Sequence, residues 1–233
     1  MYNSVLILYI VFIIEWIMLI CANSIKYKQS NITHYLWMKF ITYVIITVVT
    51  SSIILFCKEL LVVIPILGLF EIIKVYLKKK DIHISILIIS ILIYIILSIL
   101  FYCSIISIKS HDIIRIYMLV VIFDSNSQLL GMLLGKHKII PQISPNKTTE
   151  GAIGGLISGI LSYCILYSFN CEIILYAILI SLTAFCGDML ASIYKRKIGI
   201  KDFSTILPTH GGFLDRFDSF ITAGAIGYLI FNI

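Results

Sequence analysis

Charge is scarce in this chain. Only 13% of its 233 residues are Asp, Glu, Lys or Arg, against 60% hydrophobic, and the mean hydropathy is +1.05. So little polar surface cannot coat a soluble globule of this size, so the chain needs an apolar solvent. Apolar–polar alternation over segments of about ten residues is also missing, which excludes a transmembrane β-barrel. The six cysteines, at positions 21, 57, 103, 164, 171 and 186, form no CxxC pair. They read as small reduced apolar residues rather than metal ligands or disulfides. No basic patch is interleaved with aromatics, so nucleic acid is not an expected partner. There is no soluble domain, long linker or internal repeat. The first hydrophobic run has no basic n-region and carries Glu15 and Trp16, so it reads as a retained helix and not a cleaved signal peptide.

What the chain has is hydrophobic runs of about 20 residues, the length that crosses a hydrocarbon core as a helix. They lie at 4–23, 37–57, 60–77, 82–107, 113–134, 151–170, 172–192 and 217–232. The expected fold is all-α, a polytopic integral membrane bundle of about eight transmembrane helices. Lys58-Glu59 leaves little room between the second and third spans, which then form a tight hairpin. Fifteen of the eighteen Lys and Arg residues lie in or beside the first, third, fifth and seventh connections; Lys58, Lys109 and Arg115 are the exceptions. By the positive-inside rule those connections are cytoplasmic and both termini lie outside. The net charge of +6 is then a topology signal and an attraction to anionic lipid heads.

Acids inside spans need a reason, because they are costly there. Glu15 is either partnered within the bundle or functional. Glu71 shares a helical stripe with Lys74 and Lys78, three and seven residues on, and is expected to make a structural ion pair at the cytoplasmic edge. Asp124, Ser127, Gln128, Gly131 and Gly135 form a polar and small stripe on the fifth span. That stripe serves either close helix packing or an ion or substrate. Beyond it, residues 135–155 carry Lys136, His137, Lys138 and Lys147, with Pro141 and Pro145 holding the segment extended. Gly151, Gly154 and Gly155 open the next helix, where free amides and the helix dipole favour an anion.

The densest polar stretch is Ser192–Asp218, with five basic residues, three acids and His210. Lys195, Arg196, Lys201 and Arg216 suit phosphate oxygens, and Asp215 and Asp218 share a helix face if a helix resumes there. Asp188, Ser192 and Lys195 share a face of the preceding span, which turns Asp188 towards this loop. His210-Gly211-Gly212 after Pro208 forces a turn that lets a ligand approach the backbone. The alternative is a solvated basic loop between membrane helices.

This stretch resembles the signature of the phosphatidate cytidylyltransferases, the CDP-diacylglycerol synthases, at Ser192, Lys195, Arg196, Lys201, Asp202, Ser204, Pro208, His210, Gly211, Gly212, Asp215, Arg216 and Asp218. A second family segment is matched by Gly135-Lys136-His137, Ser144-Pro145, Lys147-Thr148 and Glu150-Gly151. Family members often have a glutamate one residue before the signature serine; here that position is Ala191. The resemblance covers about residues 120–220. It divides the chain into N-terminal transmembrane helices, 1–110, and a catalytic transmembrane region, 111–233, with cytoplasmic loops at 135–151 and 193–216.

The resemblance implies an enzyme joining CTP and phosphatidic acid into CDP-diacylglycerol and pyrophosphate in a bacterial-type inner membrane or an organelle membrane. It further implies Mg²⁺, with K⁺ beside it in some members, and it allows a homodimer. Asp188, Asp215 and Asp218 are the expected metal ligands, and Lys195, Arg196 and Lys201 complete the expected catalytic set. Asp124, Lys136, His137, Ser144, Lys147, Thr148, Ser192, His210, Gly211, Gly212 and Arg216 are the expected substrate-binding residues. A CTP-dependent polyprenol kinase and an ion-coupled transporter are the alternatives.

Overall fold

The computed structural model of the protein describes residues 30–78, 84–167, 169–206 and 211–231, with Ile10, Ile13, Ile14 and Ile17. Among these residues there are seven α-helices: α1 Ser30–Phe56, α2 Val63–Lys78, α3 Ile84–Ser107, α4 Ser110–Leu134, α5 Thr149–Tyr167, α6 Cys171–Lys197 and α7 Leu214–Phe231. Each coincides with an expected span. The remaining expected span, 4–23 with Glu15, lies almost wholly outside the described residues. Among the described residues, four stretches are long and apolar enough to cross a membrane: Lys58–Lys78, Ile84–Ser107, Ser110–Leu134 and Cys171–Lys197. The chain is an all-α integral membrane protein.

Two compact units divide the chain, Met1–Val48 with Met118–Leu182, and Val49–Tyr117 with Thr183–Ile233. In the first, the segment expected to be extended folds into a small antiparallel hairpin, β1 Lys138–Ile140 against β2 Ser144–Thr148. Pro141 sits second in a turn closed by the Ile143 N–H on the Ile140 carbonyl at 3.1 Å, where its fixed φ is an asset. The register slips between Lys138↔Thr148 and Ile140↔Ser144. Pro145, which has no N–H to give a ladder, falls within that irregularity. Thr148 is buried and its Oγ1 accepts the Gly151 N–H at 3.1 Å, capping α5.

The glycines at the start of α5 are used for packing. A Cβ on Gly151 would lie 2.9 Å from Gly131 Cα, one on Gly155 would lie 2.7 Å from the Phe123 carbonyl oxygen, and Gly154 abuts Leu130. At Ser127 and Gly131 the polar and small stripe of α4 therefore makes close contact with the start of α5.

In the second unit, α1 passes into α2 through a single 3-10 turn, Lys58–Val62, as the short connection required. Lys58 Nζ donates to the Ile108 carbonyl at 2.7 Å, closing the C-terminal end of α3. α3 is apolar all round, and Ile88, Leu92, Ile96 and Ile99 remain exposed, as expected of a surface that faces lipid. Its buried stripe, Tyr94, Phe101, Ser104 and Ile105, faces the helices of this unit. Phe101 and Tyr117 meet Phe220 of α7 edge-on, with centroids 5.2 and 4.9 Å apart. The Tyr94 hydroxyl donates to the Pro65 carbonyl at 3.0 Å, tying α3 to α2.

Candidate active site

The polar segment Ser192–Asp218 lies in the second unit, and its geometry begins where α6 stops. Gly199 has φ +66°, its N–H reaches the Arg196 carbonyl at 3.0 Å, and the Ile200 N–H reaches the Lys195 carbonyl at 2.9 Å. These two bonds end the helix in a Schellman motif, which needs a residue tolerant of the left-handed region. Arg196 Nη1 adds a bond to the Ile200 carbonyl at 2.9 Å. The chain then turns back towards α7. Spacing alone did not single out Gly199.

Asp215, in the first turn of α7, holds the returning chain. Its Oδ1 accepts Lys195 Nζ at 2.6 Å, and its Oδ2 accepts the N–H groups of Phe203 at 2.9 Å and Gly212 at 2.8 Å. Lys195 also stands over the Phe203 ring, 5.5 Å from its centroid, and Phe203 stacks on Tyr194.

Glu71 does the corresponding work from α2. The expected ion pair with Lys74 and Lys78 is replaced by bonds to the loop. Glu71 Oε1 accepts Ser204 Oγ at 2.6 Å and the Phe213 N–H at 2.9 Å, and Oε2 accepts the Leu214 N–H at 2.8 Å. Lys74 lies over the Phe70 ring instead. The reason is physical: Glu71 is only 2% exposed, and buried N–H groups at a helix start must find acceptors, whereas a lysine at the edge can stay hydrated. A side chain at Gly212 would stand 2.7 Å from Glu71 Oε2 and 3.0 Å from Asp215 Oδ2. The Gly211-Gly212 pair, expected to admit a ligand to the backbone, admits these two carboxylates. Gly211 adopts φ +81°. Pro208 and His210 lie outside the described residues.

Asp188 and Asp218 form a different pair. Gly187 brings α6 against α7 so closely that a Cβ there would lie 2.7 Å from Thr222 Cβ and 3.0 Å from the Asp218 carbonyl oxygen. Asp218 is buried within electrostatic range of Asp188, Lys195 and Arg216, and its Oδ1 takes the Ser219 N–H at 2.7 Å. Asp188 is half-buried and accepts Ser192 Oγ at 3.4 Å. Arg216 is half-buried, and its Nε has no hydrogen-bond partner among the described residues. Arg196 and Lys201 are exposed.

No group of three or more His, Cys, Asp or Glu side chains among the described residues is placed to hold a metal. Asp215 of the expected trio Asp188, Asp215 and Asp218 is committed to Lys195 and two backbone N–H groups, which leaves Asp188 and Asp218, within electrostatic range of each other. Mg²⁺ is usually held by one or two carboxylates with substrate phosphates and water completing its shell, so the donor set fits.

Beside Asp218 opens an apolar cavity of about 270 Å³, with Ile89 and Ile93 of α3, Ala191 of α6 and Ile221 of α7 in its wall and Lys197 at its polar side. Ala191, at the position where the resembled family often has glutamate, leaves that wall apolar.

In the first unit, Glu150 organises the other expected segment. Its Oε1 lies 2.6 Å from His137 Nδ1, and its carboxylate accepts the Lys136 N–H at 3.1 Å and the His137 N–H at 3.2 Å. Its own backbone N–H and then His137 hold the carboxyl down at about 2. Lys136, His137 and Lys138 are exposed; Ser144, Lys147 and Asp124 are half-buried.

The sequence is similar to those of known proteins. Phosphatidate cytidylyltransferases of Staphylococcus haemolyticus, Staphylococcus saprophyticus and Staphylococcus aureus are 44%, 43% and 43% identical to this chain over 117 residues. Each match covers 48% of this chain and 45% of the relative, so the matched part spans less than half the relatives' length. The cytidylyltransferase family profile covers residues 1–233. With a signature loop closed by Asp215 and a carboxylate pair beside it, over a full-length match, this chain belongs to the cytidylyltransferase family.

Proposed function

We propose that this protein transfers the cytidylyl group of CTP to phosphatidic acid, giving CDP-diacylglycerol and pyrophosphate for phospholipid biosynthesis, at the cytoplasmic face of a bacterial-type inner membrane or an organelle membrane. The observation that carries the reading is buried Asp218 within electrostatic range of half-buried Asp188, Lys195 and Arg216, at the segment that bears the family signature.

The reaction asks for placement more than for a protein nucleophile. An oxygen of the lipid phosphate forms a bond to the α-phosphorus of CTP, the bond from that phosphorus to the bridging oxygen breaks, and pyrophosphate leaves. The attacking phosphate is already ionised and needs no base. Asp188 and Asp218 would hold Mg²⁺, which would supply positive charge to the phosphoryl oxygens. Asp215, committed to Lys195 and two backbone N–H groups, orients the cation and the loop. Arg216, Arg196 and Lys201 offer guanidinium and ammonium groups to the triphosphate and the lipid phosphate. The apolar cavity beside Asp218 supports a substrate with a hydrocarbon tail next to its phosphate.

The test uses purified protein in mixed micelles with phosphatidic acid, Mg²⁺ and CTP labelled on the α- or the γ-phosphorus. Alpha label entering lipid while gamma label leaves as pyrophosphate is the expected result. Gamma label in lipid, with CDP released, would replace it with a kinase reaction.

A further inference from the structure

We infer that Glu71 is a positioning residue for the signature loop, and that its carboxylate sets where the first turn of α7 presents Asp215, Arg216 and Asp218. The kinetic part of this inference rests on the proposed cytidylyl transfer; the structural part does not.

The loop has two necks, Phe203-Ser204 as it leaves and Gly212–Leu214 as it returns. Asp215 takes an N–H from each, from Phe203 and from Gly212. Glu71 also takes a donor from each, the Ser204 hydroxyl on one side and the Phe213 and Leu214 N–H groups on the other. Both carboxylates close the loop at its base. They differ in origin, since Asp215 belongs to the helix it serves and would travel with it. Asp215 ties α7 to α6 through Lys195, whereas Glu71 comes from α2, 143 residues from Leu214, and ties the start of α7 to a second helix.

Three successive N–H groups, those of Gly212, Phe213 and Leu214, are therefore taken by protein carboxylates. This helix start is not a phosphate cradle. Phosphates are left to the side chains that follow on the same turn, and their aim depends on the anchor. A misplacement of about 1 Å in a site of this kind costs on the order of a hundredfold in rate.

Glu71→Gln keeps the volume and removes the charge and one acceptor; Ser204→Ala removes the single donor to Glu71 at the other neck. Both are made in the full chain, in detergent micelles. Hydrogen exchange at Gly212–Leu214 is expected to rise about tenfold or more in Glu71→Gln, while protection in α3 and the thermal midpoint stay near wild type. Turnover per folded molecule is expected to fall about tenfold to a hundredfold, with KM for CTP within about threefold. Ser204→Ala should move both readouts the same way by less, and Glu71→Asp, which keeps the charge on a shorter arm, should recover part of the turnover. Unchanged exchange at Gly212–Leu214 would overturn the inference, as would wild-type turnover per folded Glu71→Gln molecule. If Glu71→Gln does not fold, Ser204→Ala decides by the same two measurements. A wild-type protein that transfers neither label would remove the proposed reaction, and the exchange measurement would then decide the anchor alone.

Discussion

The Lys195 ammonium lies 2.6 Å from the Asp215 carboxylate, and the two residues are 8% and 7% exposed. Neither partner can be removed without stranding a charge away from water. Breaking such a pair on one side costs roughly 3–5 kcal/mol. Asp215→Asn should therefore lower the thermal midpoint of the micelle-bound protein together with activity. Asp218→Asn, in a residue with no such partner bond, should abolish turnover with the midpoint near wild type. Equal midpoints for the two variants would sink the division of labour between these acids.

Gly187 sets the distance between α6 and α7 at the level of Asp188 and Asp218. An alanine there meets Thr222 Cβ at 2.7 Å, too close for any real contact, so the helices must separate by a few tenths of an ångström. Gly187→Ala is expected to reduce turnover on the order of tenfold to a hundredfold. Raising the Mg²⁺ concentration should restore part of it, because a widened carboxylate pair binds the ion more weakly. Activity indifferent to this substitution would show that the pair is not the reacting centre.

The helical spans were legible in the sequence, and so was the gathering of Asp188, Ser192, Lys195, Asp215 and Asp218. Hydropathy and helical period act locally, and these residues lie within one turn or one loop of each other. Glu71 was misread for the same reason. Spacing offers Lys74 and Lys78 as partners, but the donors that need it belong to a segment 133 to 143 residues away. Glycine packing is equally non-local. Gly151, Gly154 and Gly155 look open on paper, and only the packed helix reveals that α4 occupies the space. Pro141 and Pro145 argued for an extended loop; a turn position and an irregular register let both coexist with paired strands.

Glu150 should titrate far from an ordinary glutamate. Its carboxyl is lowered from 4.5 to about 2 by its own backbone N–H and then by His137, so the ionised form is the one that holds the hairpin. The stabilisation is fully present above pH 4.5 and disappears as pH falls from there towards 2. Carbon NMR of labelled glutamate in micelles should place the Glu150 midpoint near the lower figure. A midpoint near 4.5 would dismiss the His137 contact.

Ala191 lines the apolar cavity, and a larger side chain would fill it. Ala191→Trp is expected to raise KM for long-chain phosphatidic acid about tenfold while leaving KM for CTP and for a short-chain lipid within about threefold. Equal effects on both lipids would assign the cavity some other use.

The anchoring of the loop by Glu71 also sets a clock for synthesis. Chains grow at about 5–20 residues per second, so the 143 residues between Glu71 and Leu214 take roughly 7–30 s to make. Until Ser204 is made, 133 residues on, α2 carries an acid none of whose three donors has been translated, and the last arrives only with Leu214. Maturation of this half of the protein is therefore gated by the arrival of α7, and a ribosome stalled before Leu214 leaves a membrane intermediate with a buried carboxylate still waiting for its ligands, a natural target for quality-control proteases.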